Sequence, residues 1–322
     1  MTISVYITCF NKSTFIGEAI ESVLNQSLMP KEIIIIDDCS TDGSVEIIKR
    51  YIKEYPELIV PVFNRQNLGI TETRNIALKK CTGDIITFLD GDDYYYKEKL
   101  EREYHALVNS NAHAVYSNFH YVNEGGKITG QFAEAGDSPA EGDIFLNTFG
   151  RIYNVSSGNN YIYEMFYRDC LDESGYYDTA ITLWEDWDFR IRFSKKFQYT
   201  YCPELNMVYR KHLGGISLSG EYLHYFYQKK IFKKNTHLLG DISDKDREFV
   251  KSRVKKSLEG LLNTLMMNAI KSNNQIRAFS YWVRLFLFYN SKKYIRFTLE
   301  HLLTGRRYQQ ILQVKNRIRP NK

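Results

Sequence analysis

Cysteine is sparse in this chain of 322 residues: Cys9, Cys39, Cys81, Cys170 and Cys202 are scattered and no two form a Cys-x-x-Cys pair. That spacing argues against a zinc knuckle and against a disulfide framework, and it suits a reducing compartment. No apolar stretch approaches the ~20 residues needed to span a bilayer. The chain enters a strand-like run at once, without the charged and apolar regions of a secretory signal. The expectation is therefore a cytoplasmic protein, either free or peripheral on the inner face of the cell membrane. No Gly-x-Gly-x-x-Gly turn follows the first strand, which disfavours a dinucleotide cofactor, and no Gly-Lys-Ser/Thr loop supports ATP hydrolysis. Helix-turn-helix, zinc and RNA-binding signatures are missing, so nucleic acid is not an expected partner. Repeats and low-complexity segments are also absent, and the length suits one large domain with an appendage.

What the chain does have is short apolar strands that end on carboxylates. Ile85-Ile86-Thr87-Phe88-Leu89 runs into Asp90-Gly91-Asp92-Asp93, and Ile33-Ile34-Ile35-Ile36 runs into Asp37-Asp38-Cys39-Ser40-Thr41-Asp42-Gly43. Along an extended segment Asp90 and Asp92 point to the same side, and Gly91 permits close approach of backbone and ligand. Two aligned oxygens suit Mg2+ or Mn2+, with water and phosphate completing the shell; an acidic turn closing a strand is the plainer alternative. A first strand over residues 3–8 leads into the polar turn Cys9-Phe10-Asn11-Lys12-Ser13. The helix that follows carries Ile16, Ala19, Ile20, Val23 and Leu24 at helical spacing, with Ser13 or Thr14 as N-cap. Further helices are predicted over 44–53 and 71–80, and strands over 58–63 and 85–89. Alternation of this kind implies an α/β fold with a parallel sheet, whose ligands bind beyond the strands' carboxyl ends.

Several ordered motifs then resemble family 2 glycosyltransferases. They are Ser4-Val5-Tyr6-Ile7-Thr8-Cys9-Phe10-Asn11, Ser22-Val23-Leu24-Asn25-Gln26-Ser27, the 37–43 turn, Asn67-Leu68-Gly69 with Arg74-Asn75, and Asp90-Gly91-Asp92-Asp93. Beyond these stand Trp184-Glu185-Asp186-Trp187-Asp188 and Tyr209-Arg210-Lys211-His212. The resemblance covers residues 1–220 and implies a GT-A (Rossmann-like) nucleotide-sugar-binding domain with a mostly parallel central sheet. It also implies an inverting, metal-dependent transferase using a nucleotide-sugar donor, a UDP-sugar by expectation. The acceptor would be a saccharide or lipid-linked saccharide of a bacterial-type surface polysaccharide pathway. A catalytically silent sugar-binding or membrane scaffold of the same fold, or a metal-dependent nucleotidyltransferase, are the alternatives.

The resemblance assigns nucleotide contacts to Phe10, Asn11, Asp38, Arg74 and Asp90. Phe10 would stack on the base, although a strand-ending Phe is also ordinary core. Asp38 would accept from uracil N3–H, while Asp37 could cap the turn. Arg74 would pair with diphosphate or buttress Asp38. Asp92 would bind Mn2+ or Mg2+ directly, with Asp90 on the ribose or a metal-bound water, and His212 would reach the metal or the diphosphate. Asp186 would be the base that takes the acceptor's proton, its pKa raised by apolar surroundings and by the charges of Glu185 and Asp188. An acid-rich helix N-terminus is the structural alternative. Trp184, Glu185 and Asn159 are the candidate acceptor contacts.

Charge divides the chain. Residues 221–322 hold 22 Lys+Arg against 7 Asp+Glu, a balance of +15, which leaves −10 for residues 1–220 out of the overall +5. The C-terminal part is predicted helical. Leu258, Leu261, Leu262, Leu265, Met266 and Ala269 form one stripe, Phe279, Trp282, Val283 and Phe286 another, and Ile295, Leu299, Leu302 and Leu303 a third. A basic, amphipathic, aromatic segment fits docking on an anionic membrane surface, or a helical bundle on the catalytic domain or on a second copy of the chain.

Overall fold

A computed structural model describes residues 1–157, 161–212, 220–272 and 274–289. Strand and helix alternate from the start: β1 (Ile3–Cys9), α1 (Ile16–Leu24), β2 (Glu32–Asp37), α2 (Ser44–Glu54), β3 (Ile59–Phe63), α3 (Ile70–Lys80) and β4 (Ile85–Asp90). These strands pair in parallel in the order β3-β2-β1-β4. β1 and β2 are buried along their whole length, as is β4 up to Leu89. Covered on both faces, they read as continuous apolar runs. Cys9 lies opposite Asp37 and Thr8 opposite Asp90, so the carboxyl ends form one edge.

The rest of the sheet is mixed. The elements are β5 (Tyr94–Tyr95), α4 (Lys99–Val108), β6 (Ala114–Asn123), β7 (Ile128–Gln131), α5 (Phe145–Gly150), β8 (Glu164–Tyr167), α6 (Cys170–Ser174), α7 (Glu185–Ser194) and β9 (Tyr199–Lys211). The full order is β3-β2-β1-β4-β8-β6-β9-β5, with β7 on β6. β8 runs antiparallel to both β4 and β6, and β6 is parallel to β9. β6 and β9 therefore point the same way as β4, and the end of β9 arrives at the edge where β4 releases its acids. β5 secures this, since Tyr94 and Tyr95, next after Asp93, pair with Val208 and Met207 of β9.

Two local expectations are corrected. Neither Ser13 nor Thr14 caps α1: its N-cap position is Phe15, with no side-chain cap bond. The Lys12 carbonyl accepts from Phe15 and Ile16 N–H instead, and Ser13 N–H is spent on the Asp42 carboxylate. Asp92 does not continue the strand alternation, because β4 ends at Asp90 and the chain turns there, Asp93 N–H bonding the Asp90 carbonyl at 3.0 Å.

The described residues of the C-terminal part are helical: α8 (Glu221–Asn235), a 3-10 turn (Thr236–Leu239), α9 (Asp244–Lys271) and α10 (Gln275–Tyr289). Two compact units divide the chain, one of Met1–Leu218 with Asn235–Asp246 and one of Ser219–Lys234 with Arg247–Lys322. The return of 235–246 to the first unit is anchored by Asn235, fully buried, whose Nδ2 donates to Asp188 Oδ1 at 2.8 Å. In the second unit α8 and α9 run antiparallel, with Ser257 bonded to Gln228 and Asn268 to Glu221. On α9, Leu258, Leu262, Leu265, Met266 and Ala269 are buried, as their spacing predicts, while Leu261 is half-buried and Phe279 on α10 is exposed. The side chain of Phe286, the third stripe and the basic end lie outside the described residues. Among the described residues no helix is long and apolar enough to cross a membrane.

Candidate active site

The turns after β1 and β2 are knitted together. Asn11 N–H donates to Ser40 Oγ at 2.8 Å, and Asn11 Oδ1 accepts from Thr41 N–H at 2.8 Å. Lys12 N–H donates to Ser44 Oγ at 2.9 Å. Asn11 adopts φ 52°, a left-handed turn that asparagine tolerates better than most residues. Its side chain is thus a tether between loops, whereas Phe10 beside it is 44% exposed at the sheet edge, available to an aromatic ring. Gly91 is required by close approach to protein backbone rather than to ligand: a Cβ there would stand 2.7 Å from the Thr8 carbonyl oxygen.

Asp38 is buried and organises the loop after β3. Its Oδ1 accepts from Asn64 Nδ2 and Leu68 N–H, and its Oδ2 from Gly69 N–H, all at 2.8 Å. Arg74 does not buttress it. The Arg74 guanidinium, almost wholly buried, donates to Glu185 Oε1 at 2.8 Å and to both Asp90 oxygens at 3.0 and 3.2 Å. It also lies over the Phe88 and Tyr177 rings at 5.2 and 5.8 Å. One buried cation thus joins the acidic turn to the N-terminus of α7.

Asp92 faces the other way. Its Oδ2 lies 2.5 Å from Lys12 Nζ and 2.8 Å from His212 Nε2, and those two nitrogens are 3.4 Å apart. Burial opposes the charge of Asp92, but the Lys12 ammonium and the hydrogen bonds from Lys12 and His212 outweigh it and hold the carboxyl below its usual range. Asp93 is pushed well above that range by burial and by the charges of Asp92 and Asp90. It accepts from Arg210 N–H at 2.7 Å and from the Tyr163 hydroxyl. Arg210 Nε donates to the Asp92 carbonyl at 3.0 Å, so β9 holds the turn by backbone and side chain.

On α7, Asp186 is set in a different environment from the one expected. Arg190 Nη1 lies 2.5 Å from its Oδ2, and the same guanidinium grips both Glu164 oxygens at 3.0 and 2.9 Å. The apolar and acidic surroundings inferred from the motif thus include a buried cation four residues on. Burial raises the Glu185 pKa to about 7, with Arg74 opposing and the Asp186 charge assisting. Trp184 begins the helix at φ 66°, with the Arg151 guanidinium 4.0 Å over its ring, and Trp187 Nε1 donates to the Thr148 carbonyl. Asn159 and residues 213–219 lie outside the described residues. Lys12, Glu164 and Arg190 were missed in the sequence. Lys12 sits in a polar turn like any other, and the partners of Arg190 are helical and long-range.

Among the described residues no three His, Cys, Asp or Glu side chains gather to hold a metal by themselves. Asp92 with His212 nonetheless fits a divalent cation. One carboxylate oxygen and one imidazole nitrogen already converge on a positive charge, and substrate phosphates and water complete such sites. Imidazole favours Mn2+ over Mg2+.

A sheet whose carboxyl ends gather two acidic turns, the Asp92–His212 pair and a carboxylate-rich helix has the GT-A type of fold. Residues 4–213 match the model of Glycosyl transferase family 2, and the chain belongs to that family. TuaG of Bacillus subtilis (strain 168), whose name assigns it provisionally to teichuronic acid biosynthesis as a glycosyltransferase, is 33% identical over 146 residues. That match takes in 45% of this chain and 58% of TuaG, so the chain spans less than two thirds of that relative's length. YwdF, an uncharacterized glycosyltransferase of the same strain, is 30% identical over 214 residues, 65% of this chain and 74% of YwdF. The structure of S. aureus TarS 1–349 in complex with UDP shares the fold, at a TM-score of 0.57 and 17% identity over 91% of this chain and 74% of that one.

Proposed function

We propose that the chain is an inverting glycosyltransferase that moves a sugar from a UDP-sugar to a hydroxyl of a saccharide or lipid-linked saccharide in cell-surface polysaccharide synthesis. The observation that carries the reading is the turn between β4 and β5, where His212, next after β9, meets Asp92 at 2.8 Å on the edge shared with Phe10 and Asp38. Family membership, the name of TuaG and the UDP complex of TarS support the class, the pathway and the donor.

In this reading Phe10 stacks on the base and Asp38 accepts from uracil, its carboxylate already fixed by Asn64, Leu68 and Gly69. Asp92 and His212 would hold Mn2+ or Mg2+, which neutralises charge on the leaving diphosphate. Asp186 takes the acceptor's proton as the oxygen attacks the anomeric carbon; the bond to diphosphate breaks on the opposite face, with inversion. Because Arg190 grips Oδ2, Oδ1 is the oxygen for that proton. Trp184 and Glu185 line the acceptor side, and Glu185, near pKa 7, can exchange a hydrogen bond with a hydroxyl.

Calorimetry with UDP, GDP and CDP, each with and without Mn2+, tests the donor class, and product analysis tests transfer. UDP is expected to bind with metal dependence that Asp92→Ala removes. Asp186→Asn is expected to retain UDP binding while transfer falls by about 100-fold or more. Preference for GDP or CDP would overturn the donor assignment, and undiminished transfer by the Asp186 variant would overturn the base.

A further inference from the structure

The Lys12 ammonium stands against both Asp92 and His212, the pair proposed above as metal ligands, and the sequence assigns it no role. It is held there from a rigid turn. Its backbone N–H is bonded to Ser44, and its carbonyl receives the first N–H groups of α1. The side chains of Lys12, Asp92 and His212 are only 16%, 16% and 8% exposed, so solvent and salt screen their charges weakly. The site therefore carries its own counter-ion.

We infer that Lys12 is an internal competitor for the Asp92–His212 site, which makes uptake of a divalent cation conditional on the donor's diphosphate. This rests on the reading of that pair as metal ligands. A dication on Asp92 Oδ2 would stand within a few ångströms of an ammonium 2.5 Å from the same oxygen, and the two repel. Without nucleotide the ammonium gives up the Asp92 carboxylate if it leaves. With diphosphate bound, it has a second anion to move to, and the cation gains phosphate oxygens at the same moment. Metal and donor are thereby coupled, and linkage requires each to raise the other's affinity by the same factor. The ordering has a chemical use: a Lewis acid is seated only when a diphosphate leaving group is present.

The test is Mn2+ binding by the full chain, read from the paramagnetic resonance signal of free Mn2+, with and without UDP, so that no turnover is involved. Wild type is expected to bind Mn2+ weakly alone and tightly with UDP. Lys12→Met should bind Mn2+ alone about tenfold or more tightly than wild type, and UDP should then add correspondingly less. Lys12→Gln should behave as Lys12→Met, and Lys12→Arg, which keeps the charge, as wild type. If wild type shows UDP-dependent Mn2+ binding while both neutral variants match it with and without UDP, the competitor role is refuted and the metal ligands stand. If none of the proteins binds Mn2+ even with UDP, the ligand assignment falls and takes the competitor role with it.

Discussion

Replacing Arg74 by methionine removes the one guanidinium that joins Asp90 to Glu185, while keeping most of the apolar stem that packs on Phe88 and Tyr177. The cost depends on the charge of Glu185. Its pKa in the folded chain is about 7, raised by burial from an ordinary 4.5. A carboxyl raised on folding stabilises the protein at pH below its unfolded value, and that contribution is lost as pH rises through the folded value. At pH 8 Glu185 is largely ionised and depends on Arg74. Its side chain is 8% exposed, so removing the partner leaves a buried charge unpaired, or forces proton uptake, at about 3–5 kcal/mol. At pH 6 Glu185 is already mostly neutral. Asp90, 23% exposed, recovers water, and the loss falls to roughly 1–3 kcal/mol, that of a buried hydrogen bond. Urea unfolding followed by circular dichroism at both pH values measures the difference. The double variant Arg74→Met/Glu185→Gln should recover much of the pH 8 loss. An Arg74→Met cost that is the same at pH 6 and 8, or below about 1 kcal/mol at pH 8, would refute the claim that Glu185 is the dependent charge.

Two other positions test the frame around the site. Gly91→Ala would set a methyl group 2.7 Å from the Thr8 carbonyl and 3.2 Å from Ile16 Cδ1, and a strand carbonyl cannot swing aside. A loss of about 1–3 kcal/mol in urea unfolding is expected, and a change below ~0.5 kcal/mol would show that β1 and the acidic turn separate easily. Asn235→Ala removes the donor to buried Asp188, for an expected loss of roughly 1.5–3 kcal/mol in the same assay. A neutral result there would mean that the 235–246 segment does not brace α7.

Much of the fold was legible because its signals are local. The continuous isoleucines of β2 and the apolar run of β4 require burial on both faces, and the helices between them carry their own periodicity. On that basis the spacing predicts elements over 44–53, 71–80 and 85–89, each end within a residue of α2, α3 and β4. The motifs were likewise enough to name the family, since each is a short contiguous string at a strand end. Strand alternation, however, said that Asp90 and Asp92 act together, and the turn at Asp90 separates them: one is held by Arg74, the other by Lys12 and His212.

By itself, then, the sequence determined which strands end on acids, that those ends share an edge, and which family writes such motifs, because backbone pattern and contiguous motif are properties of neighbours in the chain. Only the tertiary structure decided which charge answers which. Lys12 and His212 are 200 residues apart and Arg74 and Glu185 are 111 apart. His212 reaches the acidic turn because β9 runs in the same direction as β4 and pairs with β5, which follows that turn, and Glu185 reaches Arg74 because α7 begins over α3, long-range closures that no local spacing records. Burial then sets the strength of each pair, because desolvation depends on what packs around a carboxylate and not on what precedes it in the chain.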